Sequence, residues 1–281
     1  MRTAPAQPRQ VRKEATASGQ LLRRDTPGEG FFIINKEGFM KQKALILCGG
    51  WDGHEPILVT ERFKKFLESE NFEVEVEENL EILQNLDRLK ELSLFIPVWT
   101  MCKENLPKPY FEPVAEAIGS GVGLAGCHGG MCDAFRNNVL WQFITGANWV
   151  AHPGCDGVLH RINIRSNSSP LTDGIKDFDV SSEQYYLHTD AANEVLATTR
   201  FPTVKWYHSA NGEVDVPQVW TRKWGHGRVF YNALGHHNDV FDIPEAWELM
   251  KRGLLWAAEG KRVAVEKGLS ADDWKNEKGM Y

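Results

Sequence analysis

The chain has no apolar run near the ~20 residues that a membrane-spanning helix needs, and its first residues contain no apolar core of the kind that marks a secretory signal. A cytoplasmic protein with no membrane contact is therefore expected. There is also no Cys-x-x-Cys pair. The five cysteines (Cys48, Cys102, Cys127, Cys132 and Cys155) are odd in number and close no disulfide framework, so reduced thiols, most of them buried, are expected. No basic block occurs in the body of the chain. With 38 acidic against 32 basic residues and a net charge of -6, a nucleic-acid partner is disfavoured and small-molecule chemistry becomes the default. His-x-His and His-x-x-x-His spacings are missing as well, and the adjacent pair His236-His237 is expected to point its rings in different directions. Any metal site must then be assembled from separate parts of the chain.

What is present is an ordinary globular composition, 281 residues with 42% hydrophobic and 25% charged content, enough for a full core. Residues 1–39 are polar, basic and rich in Pro, Gly, Ser and Thr. They read as a disordered extension, with an organellar targeting peptide as the alternative and Met40 as a natural-looking start. From Lys41 strand and helix patterns alternate. Apolar runs at 44–48, 92–99 and 121–125 read as strands, 72–76 alternates apolar and acidic residues as an edge strand would, and helical spacing at 57–70 and 109–120 supplies crossovers. This predicts an α/β fold with a mostly parallel sheet covered on both faces, in which ligands collect at the carboxyl ends of the strands. Strand-like runs at 158–164, 195–199, 204–208, 218–223 and 228–232 predict an antiparallel extension of the same sheet, closed by a helix at 244–258. One domain over 41–258 and a charged tail over 259–281 complete the expected organisation.

The most informative stretch is Gly121-Val-Gly-Leu-Ala-Gly-Cys-His-Gly-Gly130, where an apolar run enters a Gly-x-His-x-Gly turn. Such an elbow turns a strand sharply into a helix, and flanking glycines let the central side chain project alone. The glycine spacing favours His128 over Cys127 as that residue. A glycine-rich turn without chemistry is the plainer reading. If strand ends converge, Asp52 and His54 after the first strand, Trp99 and Thr100 after the third, His152, the run Glu183-Gln-Tyr-Tyr-Leu-His188 and the pair His236-His237 share one edge. His128, Glu183, His188 and His237 are the candidates for proton transfer. Trp51, Asp52, His54, Trp99, Tyr185 and His152 are the candidates for contacting substrate, the tryptophans by stacking beneath a sugar ring. Zinc with nitrogen and carboxylate ligands is the first metal to consider, drawn from His54, His128, His188 and His237. His160, His208 and His226 read as structural or solvent-exposed.

Four ordered motifs carry a resemblance: Leu45-Ile-Leu-Cys-Gly-Gly-Trp-Asp-Gly-His54, Gly126-Cys-His-Gly-Gly130, Glu183-Gln-Tyr-Tyr-Leu-His188 and Gly227-Arg-Val-Phe-Tyr-Asn-Ala-Leu-Gly-His-His237. Together they resemble the ThuA-like, or trehalose-utilisation, family over about residues 41–258. The resemblance implies a class I glutamine amidotransferase-like fold, a flavodoxin-like three-layer sandwich. It also implies a role in catabolism of trehalose and related disaccharides, with a carbohydrate as small-molecule partner and an oxidoreductase as functional partner. Glutamine amidotransferases place Cys at the elbow centre and follow the last strands with a His-x-Glu pair. Here the centre is His128 and the later stretch is Gly235-His-His-Asn-Asp239, so glutamine hydrolysis is not implied. The expected activity is His/Glu acid–base chemistry on a sugar or keto-sugar. The alternatives are a non-catalytic sugar-binding or accessory protein and a Cys-dependent amidase acting through Cys127. Oligomeric state stays open, with a homo-oligomer compatible.

Overall fold

A computed structural model describes residues 42–101, 106–107, 110–165 and 169–275. The extension expected over 1–39, Cys102 and the expected helix start at Pro109 lie outside them. The described residues form one compact unit.

In chain order the strands and helices are β1 (Gln42–Gly50), α1 (Pro56–Ser69), β2 (Phe72–Glu77), α2 (Leu86–Lys90), β3 (Leu94–Thr100), α3 (Glu112–Gly119), β4 (Gly123–Cys127), α4 (His128–Cys132), α5 (Val139–Thr145), β5 (Ala147–Ala151), β6 (Val158–Ile164), β7 (Phe178–Ser182), β8 (Tyr186–Thr189), β9 (Glu194–Phe201), β10 (Val214–Trp224), β11 (Gly227–Asn232) and α6 (Pro244–Glu266). Nine strands form one sheet in the order β2-β1-β3-β4-β11-β10-β9-β6-β7, and β5 pairs with β8 separately. The β2-β1-β3-β4-β11 half is parallel and the rest antiparallel.

The sequence explains why β1 sits inside the parallel half. Ala44 and Ile46 pack into one apolar cluster and Leu45 and Leu47 into another, so both faces of the strand are covered. One face is closed by α1 through Val59, Phe63 and Leu67 and by α6 through Leu249, Leu254 and Ala257. The other is closed by α3 through Val114 and Ile118 and by α5 through Trp141 and Ile144. This is the expected α/β layering.

Three expectations are corrected. The 228–232 run joins the two halves and does not lie wholly in the antiparallel extension: the tight turn at Gly225 (φ 57°) folds β11 back antiparallel to β10, as expected, while its other edge runs parallel to β4. Residues 204–208 do not form a strand. They lead into a 3-10 turn at Tyr207–Asn211, which the Ser209 hydroxyl stabilises by accepting from the Trp206 backbone N–H at 2.9 Å. The last helix does not stop at 258 but continues to Glu266, because Ala264 on the following turn is still buried against the domain. The tail expected from 259 is thus helix at first, then a 3-10 turn at Ala271–Trp274, where Asp273 accepts from His226 Nε2 at 2.7 Å.

Candidate functional site

At the carboxyl end of β4 the backbone turns at His128, whose φ of 47° lies in the left-handed region that histidine rarely adopts. Cys127 before it is extended and α4 begins at His128 itself. The glycine before the turn is required: a Cβ on Gly126 would lie 2.9 Å from the Met131 Cβ. Cys127 points into the core, where burial pushes its thiol up to about 12, so no thiolate is available at neutral pH.

Glu183, directly after β7, is the hub of the site. His128 Nε2 lies 3.1 Å from its Oε2, His236 Nδ1 3.4 Å and His54 Nε2 3.9 Å from the same oxygen, and His152 Nε2 3.6 Å from Oε1. His54 comes from the 3-10 turn after β1, and its Nδ1 is 2.8 Å from the Thr100 hydroxyl at the end of β3. His236 follows β11. The rings pack at right angles or tilted, with His54 to His128 centroids 4.7 Å apart and His54 to His236 4.9 Å. Tyr185, buried and with its phenol held well above the ordinary range by burial, stacks on His128 at 3.9 Å. The Tyr231 hydroxyl donates to the His128 carbonyl at 3.0 Å and fixes the elbow from below.

Burial favours the neutral form of His54, His128 and His236. It is the largest cause in each case, lowering His54 to about 2 and holding His128 well below, and His236 below, the ordinary value of 6.5. The tautomer of His128 follows from its partner. A carbonyl can only accept, so Nδ1, 2.8 Å from the Ala233 carbonyl oxygen, carries the proton. Nε2 of the neutral ring then turns a lone pair toward the Glu183 carboxylate at 3.1 Å. Two acceptors face each other in a buried site, and only a proton or a cation between them makes the contact favourable.

The donor set fits a divalent cation. In a tetrahedral zinc site with ~2.0–2.1 Å bonds, neighbouring donor atoms are about 3.3 Å apart. Two of the separations about Glu183 Oε2 are close to that value, 3.1 and 3.4 Å, and the third is wider at 3.9 Å. His54, His128, Glu183 and His236 each offer a ligand atom within 4.8 Å of the others. The remaining nitrogens of His128 and His54 are held by a carbonyl and a hydroxyl, the outer partners that orient metal-bound imidazoles.

Of the residues singled out from the sequence, His54, His128, His152, Tyr185 and Glu183 come together here. His237 lies at the rim, half-exposed, with its ring 4.0 Å from that of His236. Trp51 is exposed and turns its ring edgewise to His54 at 4.9 Å. Asp52 occupies the same turn with its side chain exposed. Trp99 lies over Gly49 and packs with the apolar cluster of one sheet face. His188 is not brought in. It is exposed on β8 opposite Asn148 and makes none of the contacts that join the cluster. Sequence reasoning does not single out Asp156, and it places His236 at the shared edge without a role. The expectation that His236 and His237 diverge is incorrect: after Gly235 (φ 103°) the chain turns both rings toward Asp156, at 3.8 and 3.5 Å.

The described residues contain no helix long and apolar enough to cross a membrane. No match is found among curated proteins. Among solved structures, a ThuA-like protein from Bacteroides uniformis ATCC 8492 is 18% identical, with a TM-score of 0.59 over 84% of this chain and 98% of that one. Another from Parabacteroides merdae ATCC 43184 is 18% identical, with a TM-score of 0.60 over 79% and 91%. A cytoplasmic protein from Salmonella typhimurium LT2 is 12% identical, with a TM-score of 0.50 over 79% and 99%. At these identities the likenesses show a shared fold. The ThuA family model, described as trehalose utilisation, matches residues 43–257, and the chain therefore belongs to the ThuA family.

Proposed function

We propose that the protein is a carbohydrate-processing enzyme in which His54, His128, Glu183 and His236 hold a divalent cation, zinc by their donor chemistry, beside an imidazole that moves protons on a disaccharide or its keto form. The observation that carries this reading is the His128 lone pair facing the Glu183 carboxylate at 3.1 Å, in a cluster where burial favours the neutral form of His54, His128 and His236. The family description supplies the substrate class. With four protein donors a tetrahedral cation would have no open position, so when bound it would act as a Lewis acid on a carbonyl or hydroxyl oxygen only by taking that oxygen as a fifth donor.

His128, buried and already engaged through both nitrogens, is a holding residue in this scheme and not the base. The proton carrier is His152. Its side chain is 30% exposed, Nε2 is 3.6 Å from Glu183 Oε1, and Nδ1 has no hydrogen-bond partner. It takes the proton from the carbon beside the ketone, and the electron pair left behind spreads onto the ketone oxygen. Return of the proton to the former ketone carbon, with the hydroxyl proton of the adjacent carbon passing to the former ketone oxygen, moves the carbonyl by one carbon and gives an isomer. Expulsion of the substituent one bond further on, with His152 returning its proton to the departing oxygen, gives an elimination. Trp51 offers a stacking face at the opening. A keto substrate would be supplied by an oxidoreductase acting on the parent sugar, and Cys127, buried and protonated, has no part.

The test is an assay of tag-free protein on trehalose, sucrose and their oxidised forms, beside metal analysis. Turnover of a keto-sugar is expected, falling roughly 100-fold or more in His152→Ala, with loss of bound metal in His128→Ala. Saturable calorimetric binding of a sugar with no product after prolonged incubation would overturn the enzymatic reading.

A further inference from the structure

The two nitrogens of His236 face two different carboxylates. Nδ1 is 3.4 Å from Glu183 in the buried cluster, while Nε2 is 3.8 Å from Asp156 Oδ1 on the solvent side. His237 Nε2 reaches the other oxygen of Asp156 at 3.5 Å. We propose that Asp156, His236 Nε2 and His237 Nε2 form a second divalent-cation site at the rim, separate from the buried one and joined to it through the His236 ring.

Direct hydrogen bonds do not account for this group. At 3.5 and 3.8 Å both contacts are too long; the first is close to the donor spacing of about 3.3 Å around a tetrahedral zinc and the second is wider. The three residues each offer a ligand atom within 4.8 Å of the others. Neither His236 Nδ1 nor His237 Nδ1 has a hydrogen-bond partner. The backbone is also shaped for the purpose. Gly154 (φ 97°) and Cys155 (φ 59°) are both left-handed, an unfavourable conformation for cysteine, and Asp156 follows them. Behind His237, Glu55 is left-handed as well (φ 47°). Its Oε2 accepts from the Asn238 N–H at 2.8 Å, and its Oε1 lies 3.9 Å from His237 Nδ1. Asp156 is exposed, so water can complete the coordination. Two imidazoles and one carboxylate suit zinc or cobalt better than magnesium or calcium.

That His236 serves two cations at once rests on the buried site proposed above; the rim site itself does not. With both occupied, the His236 ring binds through each nitrogen and must release its remaining ring proton to solvent, one per chain.

The experiment is equilibrium loading of the full chain with Co2+, following metal per chain by atomic emission and the visible cobalt spectrum, on wild type and on Asp156→Asn, His237→Asn and His54→Ala. Wild type is expected to take up two equivalents. Asp156→Asn and His237→Asn should each keep one and bind the other roughly ten-fold or more weakly. His54→Ala should lose the buried equivalent and keep the rim one. If wild type takes one equivalent that depends on Asp156 and His237 but not on His54, the rim site stands and the buried one falls. Uptake that is the same in Asp156→Asn and His237→Asn as in wild type overturns the rim site.

Discussion

His128 occupies a backbone conformation that costs about 1–3 kcal/mol for a residue with a Cβ, and the surrounding bonds show what sustains it. The Tyr231 hydroxyl holds its carbonyl, the Ala233 carbonyl holds Nδ1, and Tyr185 covers the ring face. Gly129, the next residue, matters because of its neighbours. A Cβ there would lie 2.6 Å from the Thr100 Cγ2 and 2.8 Å from the His54 Cε1. Gly129→Ala must therefore push His54 away from Thr100 and break their 2.8 Å contact. The expected result is a protein that folds but binds zinc roughly 10–100-fold more weakly in competition with a chelator; unchanged affinity would mean that the packing around His54 does not set the site. His128 was legible in the sequence because elbow geometry leaves a glycine pattern. His236 was not, because the direction of a side chain in an irregular turn depends on φ values at Gly235 and beyond that carry no periodic signal. His188 illustrates the same limit from the other side: five residues from Glu183 along the chain, it lies on β8, whose alternation turns it outward.

β1, β3 and β4 were readable because apolar runs bounded by glycine or charge are what doubly covered strands look like, and β2 because alternation of apolar and acidic residues marks an edge. β7 and the β5–β8 pair were not. FDVSS and YLHT mix small polar residues with few apolar ones, and their strand state is decided by pairing across the fold. The 204–208 segment has the aromatic and β-branched content of a strand, yet Trp206 and Tyr207 are exposed and the segment lies in the connection between the end of β9 at Phe201 and the start of β10 at Val214. At this scale the longest helix bears most on stability. α6 places fully buried Leu254 against the cluster that includes Ala125 on β4 and Phe230 on β11. Leu254→Ala is expected to cost about 2–5 kcal/mol in urea unfolding while leaving metal stoichiometry unchanged. A coupled loss of metal would show that α6 positions the strand ends and not only the core.

Across the whole molecule the buried imidazoles make stability depend on pH. His54, His128, His160 and His236 all have values depressed mainly by burial. Between the ordinary value of about 6.5 and the depressed one, the unfolded chain binds a proton that the folded chain refuses. Metal-free stability is therefore full above about pH 6.5 and declines as the pH falls, by up to about 1.4 kcal/mol per pH unit for each ring that stays neutral. Asp133 acts in the opposite sense. Burial raises its carboxyl to about 6, so between there and its ordinary 3.8 the folded protein binds the proton first and offsets part of the loss. Urea unfolding with a chelator present should give clearly lower stability at pH 5.5 than at pH 7.5; equal stability at the two would mean that these rings take up protons without the fold opening.

The four donors of the buried cluster come from turns that follow β1, β4, β7 and β11, so no fragment of the chain contains the set. Partly folded chains have nothing for an ion to recognise, and any affinity the cluster has belongs to the finished sheet alone. An ion captured there would fasten the turns after β1, β4 and β11 in the parallel half to the turn after β7 in the antiparallel half, and its binding energy would be expressed as cooperativity between the two halves of the sheet.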